Sequence, residues 1–215
     1  MVSTTTRFGS GQAVQRLEDE QLLKGAGIYA NDVTPQGQTR LCFVRSSYPH
    51  ARIVSIDTSA AQAMPGVRLV ITGQQLVDEG RPAMPGVANF TRADGTPAAT
   101  PVRHILAVDR VRFVGEPVVA VVADTEQQAR DAAEAVQIDF DELPCAVTLT
   151  DALKPGAPLI SDAPDNRVAE TRYGDREAAA KAFASAAHVV QLDITNQRLA
   201  ALTIEPRSVM ASIDA

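Results

Sequence analysis

Tryptophan is absent from this 215-residue chain and aromatic residues make up 4% of it, so any core must be assembled from Val, Ala, Leu and Ile. Cysteine is nearly absent as well. Cys42 and Cys145 lie far apart among apolar or Pro neighbours, which excludes zinc, iron–sulfur and redox-pair spacings and leads to the expectation of two buried free thiols. The three histidines, His50, His104 and His188, have no second His or carboxylate at ligand spacing, so no metal site is expected. No run approaches the roughly 20 apolar residues of a membrane span, and the N-terminal residues lack an apolar signal core. A cytoplasmic protein is expected. There is no basic excess either: the formal charge of -6 and pI near 5.1 argue against a surface for nucleic acid or anionic lipid.

What is present reads as a globular α+β protein, with 45% hydrophobic and 21% charged residues. The strongest signal is Val111–Phe140, which holds the longest apolar run and the clearest helix. Val118 to Ala123 forms a strand pattern behind Gly115-Glu116-Pro117, and Pro117 belongs at its first residue or on an edge because it cannot donate to a ladder. Asp124 or Thr125 then caps a helix, with Gln127 or Gln128 completing a capping box and Glu126 placed to pair with Arg130. Ala129, Ala132, Ala133 and Val136 share one face of it. Ile138 and Phe140 alternate with polar residues in a half-buried strand, and the strand–helix–strand order implies a crossover, right-handed if the two strands are parallel neighbours.

Further strand patterns occur at residues 41–47, 52–57 and 67–72, with short helices after Thr58 and from Gly73 to Gly80. Residues 81–103 hold four Pro and two Gly and read as a long surface loop. Ile105–Val108 and Val111–Val114 are apolar runs leading into the central strand. Residues 1–15 read as a mobile leader. Gly25-Ala26-Gly27-Ile28-Tyr29 superficially matches a dinucleotide fingerprint, but a charged segment precedes it, so a turn feeding a strand is expected. Beyond Pro144, a short helix near Thr150–Leu153, a Pro- and Asp-rich connection, a helix capped by Asp175 with Phe183 on its apolar face, and strands near 188–194 and 208–213 follow. That last unit is too small to be stable alone.

Candidate chemistry is sparse. Asp139 and Asp141 share a solvated strand face, Glu18 and Asp19 are adjacent surface charges, and no His-based triad or nucleophile elbow occurs. Glu116 sits in a turn, and Glu205-Pro206-Arg207 joins a carboxylate and a guanidinium; either can be structural or chemical on residue type alone.

Four stretches together resemble one family: Arg16-x-Glu18-Asp19 with Leu23-x-Gly25-x-Gly27-x-Tyr29-x-x-Asp32; Val44-Arg45-Ser46-x-x-x-His50-Ala51-Arg52-Ile53 with Asp57-Thr58 and Pro65-Gly66-Val67; Val111 to Val118; and Glu205-Pro206-Arg207. They resemble the molybdopterin-binding large subunit of the xanthine dehydrogenase/aldehyde oxidase/carbon monoxide dehydrogenase family. The resemblance implies an α/β-hammerhead domain over 16–146, a connection over 147–172, and the first part of the molybdenum cofactor-binding domain over 173–215. It implies an oxidoreductase that hydroxylates aldehydes or N-heterocycles with water-derived oxygen, working with 2Fe-2S and FAD partner subunits. Gly-Gly-Gly-Phe-Gly and Gly-x-Gly-Glu loops of the family do not occur, and Leu199, Ala200 and Ala201 stand where many members place a Gln or His. The nearest cofactor-binding candidates are therefore Gln197, Arg198 and Glu205, with no catalytic residue or metal ligand assigned. The expectation is an N-terminal portion, inactive alone, that needs the remainder of the large subunit; the alternative is a non-enzymatic hammerhead scaffold, a docking module or one half of a split subunit.

Overall fold

A computed structural model of the chain describes residues 16–86, 90–92, 94–161, 163–197, 199–203 and 207–213. By internal contacts it divides into two units: Gln38–Val190, and a second composed of Met1–Gly37 with Gln191–Ala215. In the second unit a short helix α1, Asp19–Leu23, precedes a single 3-10 turn at Ala30–Asp32. Gly25 has φ 69°, and the Asp32 carboxylate accepts from the Tyr29 amide at 3.0 Å, so Gly25–Tyr29 feeds a turn and not the expected strand.

The larger unit contains two three-stranded antiparallel sheets. The first has the order β1 (Arg40–Arg45), β5 (Pro117–Ala123), β3 (Val67–Thr72); the second has the order β4 (Arg110–Val111), β2 (Ala51–Asp57), β6 (Gln137–Glu142). The expected strand–helix–strand crossover therefore does not arise within one sheet. β5 and β6 flank the helix in sequence but join different sheets, because the partners that complete their ladders come from distant parts of the chain.

Helix α4, Glu126–Glu134, forms as its capping residues dictate. The Thr125 hydroxyl accepts from the Gln128 amide at 3.2 Å, and the Gln128 side-chain carbonyl accepts from the Thr125 amide at 3.1 Å. Ala129 and Ala132 are buried, and the helix lies on β1 and β5. Small side chains permit that close approach. Val119, Val121 and Ala132 are fully buried with Ala51 and Val111, while Ile53, Ile56, Ile138 and Phe140 pack against them from the second sheet. Burial of each such Val contributes about 1.5–3 kcal/mol.

Short helices α2 (Ser59–Gln62) and α3 (Gly73–Asp78) flank β3, the latter opened by a Thr72/Gln75 capping box. Gly73 is required there because a Cβ would stand 2.4 Å from the carbonyl oxygen of Ala107. Helix α5, Leu149–Ala152, is capped by Thr148, and helix α6, Arg176–Ser185, by the Asp175 carboxylate at 2.9 Å from the Ala178 amide. Nothing in α6 is buried, so Phe183 does not meet the apolar partner expected of it. Among the described residues, 188–194 and 208–213 form no ladder, which corrects the two strands expected there. The thiols are corrected too: Cys42 is half-buried on the edge strand β1 and Cys145 is exposed just after Pro144.

Candidate functional site

Two polar clusters stand out in the larger unit. The first joins the sheets. β1 ends at Arg45, whose Nη1 donates to the Gly115 carbonyl at 2.9 Å. The Gly115 amide donates to the Ser46 carbonyl at 2.8 Å, and the Ser46 amide returns a bond to the Glu116 carbonyl at 2.9 Å. The Ser46 hydroxyl accepts from the Tyr48 amide at 3.0 Å, and the Glu116 carboxylate accepts from the Arg112 amide. Gly115 has φ 90°, a backbone conformation that residues with a Cβ rarely adopt. The Val-Gly-Glu-Pro turn is thus a clamp on the adjoining ends of β1 and β5 in the first sheet, and the Glu116 carboxylate ties it to the residue that follows β4 of the second.

His50, at the head of β2, is buried. Its Nδ1 lies 2.7 Å from the Pro144 carbonyl oxygen, which can only accept, so Nδ1 carries a proton. Nε2 is buried without a hydrogen-bond partner in the structure. The Leu143 amide donates to the His50 carbonyl at 3.0 Å, and Tyr48 packs on Phe140 with ring centroids 5.2 Å apart. His50 thereby ties the head of β2 to the Leu143-Pro144 segment. Its bond to Pro144 had no local signal, because the partners are 94 residues apart.

The second cluster fastens the long loop. Its hairpin is closed by Arg92 N to Thr96 O at 2.7 Å and Ala98 N to Phe90 O at 2.9 Å. The Arg92 side chain, largely buried, donates to the Arg167 carbonyl and to the Asp165 carboxylate at 2.9 Å. That bond holds the Asp165 carboxyl below the usual aspartate range. The Thr96 hydroxyl and amide, both donating to Asp94, lower the carboxyl of Asp94 in the same way. Asp165 and Asn166 occupy the left-handed region at φ 53° and 57°, which Asp and Asn tolerate better than most residues. Asn166 secures them by donating to the Ala152 and Pro158 carbonyls, each at 3.0 Å. A cleft of about 150 Å³ lies between Arg92, Asp94, Asp165, Arg167, Ala169 and Glu170. Arg92 pairs with Asp165, Asp94 accepts from Thr96 and Glu170 pairs with Arg172, so the carboxylates that line this cleft are engaged in fastening the loop.

Gln197 is exposed; Arg198 and Glu205 lie outside the described residues. Asp139 and Asp141 are exposed on β6, with Asp139 accepting from the Ser55 hydroxyl at 2.6 Å. Among the described residues no group of three or more His, Cys, Asp or Glu could hold a metal ion.

What these clusters do build is a specific fold, and that fold has relatives. Residues 24–144 match the family described as aldehyde oxidase and xanthine dehydrogenase, a/b hammerhead domain. The chain belongs to this family. The large subunit of nicotine 6-hydroxylase from Paenarthrobacter nicotinovorans is 38% identical over 211 residues, covering 97% of this chain and 25% of that subunit. The carbon monoxide dehydrogenase large chain of Afipia carboxidovorans is 34% identical over 219 residues, covering 96% of this chain and 26% of the relative. Among solved structures, a Cu,Mo-CO dehydrogenase in its carbon monoxide reduced state superposes with a TM-score of 0.68 at 35% identity, over 81% of this chain and 22% of that one. Quinoline 2-oxidoreductase from Pseudomonas putida 86 gives a TM-score of 0.58 at 37% identity, over 66% and 17%. The hammerhead chain thus spans about a quarter of the length of the large subunits it matches. Among its described residues no helix is long and apolar enough to cross a membrane.

Proposed function

We propose that this chain is the N-terminal portion of a molybdenum hydroxylase large subunit: the hammerhead over 16–146, a connection over 147–172, and the opening of the cofactor-binding domain from 173. The complete subunit hydroxylates an aldehyde or N-heterocycle with oxygen from water in the cytoplasm, holds the molybdenum-pterin cofactor, and works with iron–sulfur and flavin subunits. The observation that carries this reading is the alignment of 97% of the chain, in order, with one quarter of a hydroxylase large subunit. Gln197, Arg198 and Glu205 are this portion's contribution toward the cofactor.

The chain's own residues perform assembly. The Ser46–Gly115–Glu116 clamp fixes the adjoining ends of β1 and β5, and the Arg92–Asp165 lock holds the long loop against the connection that leads onward. With no described acid–base pair or metal cluster, the isolated chain is expected to bind no molybdenum and to give no dye-linked dehydrogenase activity. Metal analysis and the assay on the purified 215-residue protein test this. Bound molybdenum with turnover would overturn the assignment of the chemistry to the rest of the subunit.

A further inference from the structure

β5, with the sequence Pro-Val-Val-Ala-Val-Val-Ala, is apolar at every position. An antiparallel sheet with one solvated face instead alternates apolar and polar residues, so such a strand is built for cover on both sides. One side has it. Val119 and Val121 belong to the core with Val70 and Ala132. On the opposite side the register sets Phe43, Ala120 and Ile71 in one cross-strand row and Leu41, Val122 and Leu69 in the next. All six are apolar and none belongs to the core cluster or packs against it; Ala120, small and flanked by larger side chains, is 7% exposed, and Phe43, Ile71 and Val122 are half-buried. Leu41 is 55% and Leu69 49% exposed. Charged groups stand at the strand ends: the Arg45 guanidinium lies 5.3 Å over the Phe43 ring, and Arg68 binds Asp124 through two bonds of 2.7 and 3.0 Å. An apolar centre with a polar rim is the anatomy of an interface.

We propose that this open face of the first sheet is the docking surface for an apolar segment of the same large subunit, drawn from the length that this chain does not match. The proposal rests on the large-subunit reading above. Two facts select the occupant. The matched relatives carry about three quarters of their length beyond what this chain covers. The face itself is small: two rows across three strands span on the order of 200 Å² from ordinary strand spacings, against about 800 Å² per partner in a stable interface between separate proteins. A face of that size does not hold a free partner or a second copy. A segment tethered within one subunit is supplied at high effective concentration and needs no larger contact.

Cysteine accessibility tests this. Leu41→Cys and Leu69→Cys are placed singly in a Cys42→Ala/Cys145→Ala background and labelled with a soluble maleimide. Labelling is measured in the 215-residue chain and in a chimera where this chain replaces the matched quarter of the Paenarthrobacter nicotinovorans nicotine 6-hydroxylase large subunit. Val121→Cys serves as the buried reference. The expected result is fast labelling in the isolated chain and a slowing of more than about tenfold in the folded chimera. Equal rates in the two would overturn the proposal. Slow labelling in the isolated chain would overturn it as well, in favour of a second copy if the chain elutes as a dimer, or of closure within this chain if it elutes as a monomer. A chimera that fails to fold even without a cysteine substitution counts against the large-subunit reading itself, and the docking surface falls with it.

Discussion

Residues 117–123 and 188–194 are both short, apolar-rich and strand-like in sequence, yet the first is the centre of a sheet and the second makes no ladder. β5 has a partner strand on each side, β1 and β3, so its amides and carbonyls are satisfied, and Val118, Val119 and Val121 are fully buried. Val190, Leu192 and Ile194 have no such neighbours and are largely exposed. The same contrast separates the helices. α4 and α6 are both capped by a side chain, but α4 buries two alanines and α6 buries nothing. Local propensity starts an element; a partner surface decides whether it contributes to stability.

The largest expected effect that would break this contrast comes from paired truncations. Leu106→Ala, at a side chain 1% exposed, should cost about 2–5 kcal/mol, whereas Phe183→Ala on α6 should stay within about 0.5 kcal/mol. Thermal melts of both variants check it, at about 2–4 °C per kcal/mol for a chain of this size. A melting point that fell with Phe183→Ala would show α6 to be part of the cooperative core.

Gly115→Val comes next. A Cβ at Gly115 meets no heavy atom within 4 Å, so the cost is one of backbone conformation, about 1–3 kcal/mol at φ 90°. Gly115→Asn should recover part of it. A Gly115→Val protein with an unchanged melting point would refute the role of the clamp.

Removing the caps gives a smaller and more selective effect. Thr125→Ala should destabilise the unit by about 1 kcal/mol, because α4 is part of the core. Asp175→Ala should lower helical circular dichroism while leaving the main melting transition in place. Equal shifts in the transition would erase the distinction between the two helices.

The least effect is expected from acid. Asp165 is held below its ordinary value of 3.8 by Arg92, so the lock is intact above that value and is lost as pH falls through the lower, folded-state value. In Arg92→Gln this acid-dependent step should vanish; hydrogen exchange at the Ala99 amide, which donates to Val168, reads it out. A lock that opened near neutral pH would contradict the assignment.

Much of the larger unit was legible in the residues themselves. The Thr125/Gln128 box, the Glu126–Arg130 pair and the boundaries of β2 and β3 follow from local chemistry, and the Val-Gly-Glu-Pro string marked the family before its geometry was known. Pairing was not legible. Arg112 has its amide bonded to Glu116 and its guanidinium near Asp109, so the apolar run 111–114 contributes only Val111 to a ladder. The bonds from Arg92 to Asp165 and from His50 to Pro144 span 73 and 94 residues and leave no periodic trace. Cys42 was expected to be buried from residue type; its place on an edge strand left it half-open. The cofactor candidates came from resemblance alone; Gln197 is exposed, and Arg198 and Glu205 lie outside the described residues.

The two sheets are interleaved along the chain. The first takes residues 40–45, 67–72 and 117–123; the second takes 51–57, 110–111 and 137–142. Neither central ladder is complete until both halves of the sequence exist, so a nascent chain cannot close the second sheet before β6 has left the ribosome. Strands β1 and β3 then wait through more than forty residues for β5, with unpaired edges and exposed valines. Such non-local pairing folds slowly and exposes aggregation-prone edges during synthesis. The hammerhead is therefore a late-closing module, whose biogenesis favours an apolar partner arriving in the same polypeptide soon after its last strand.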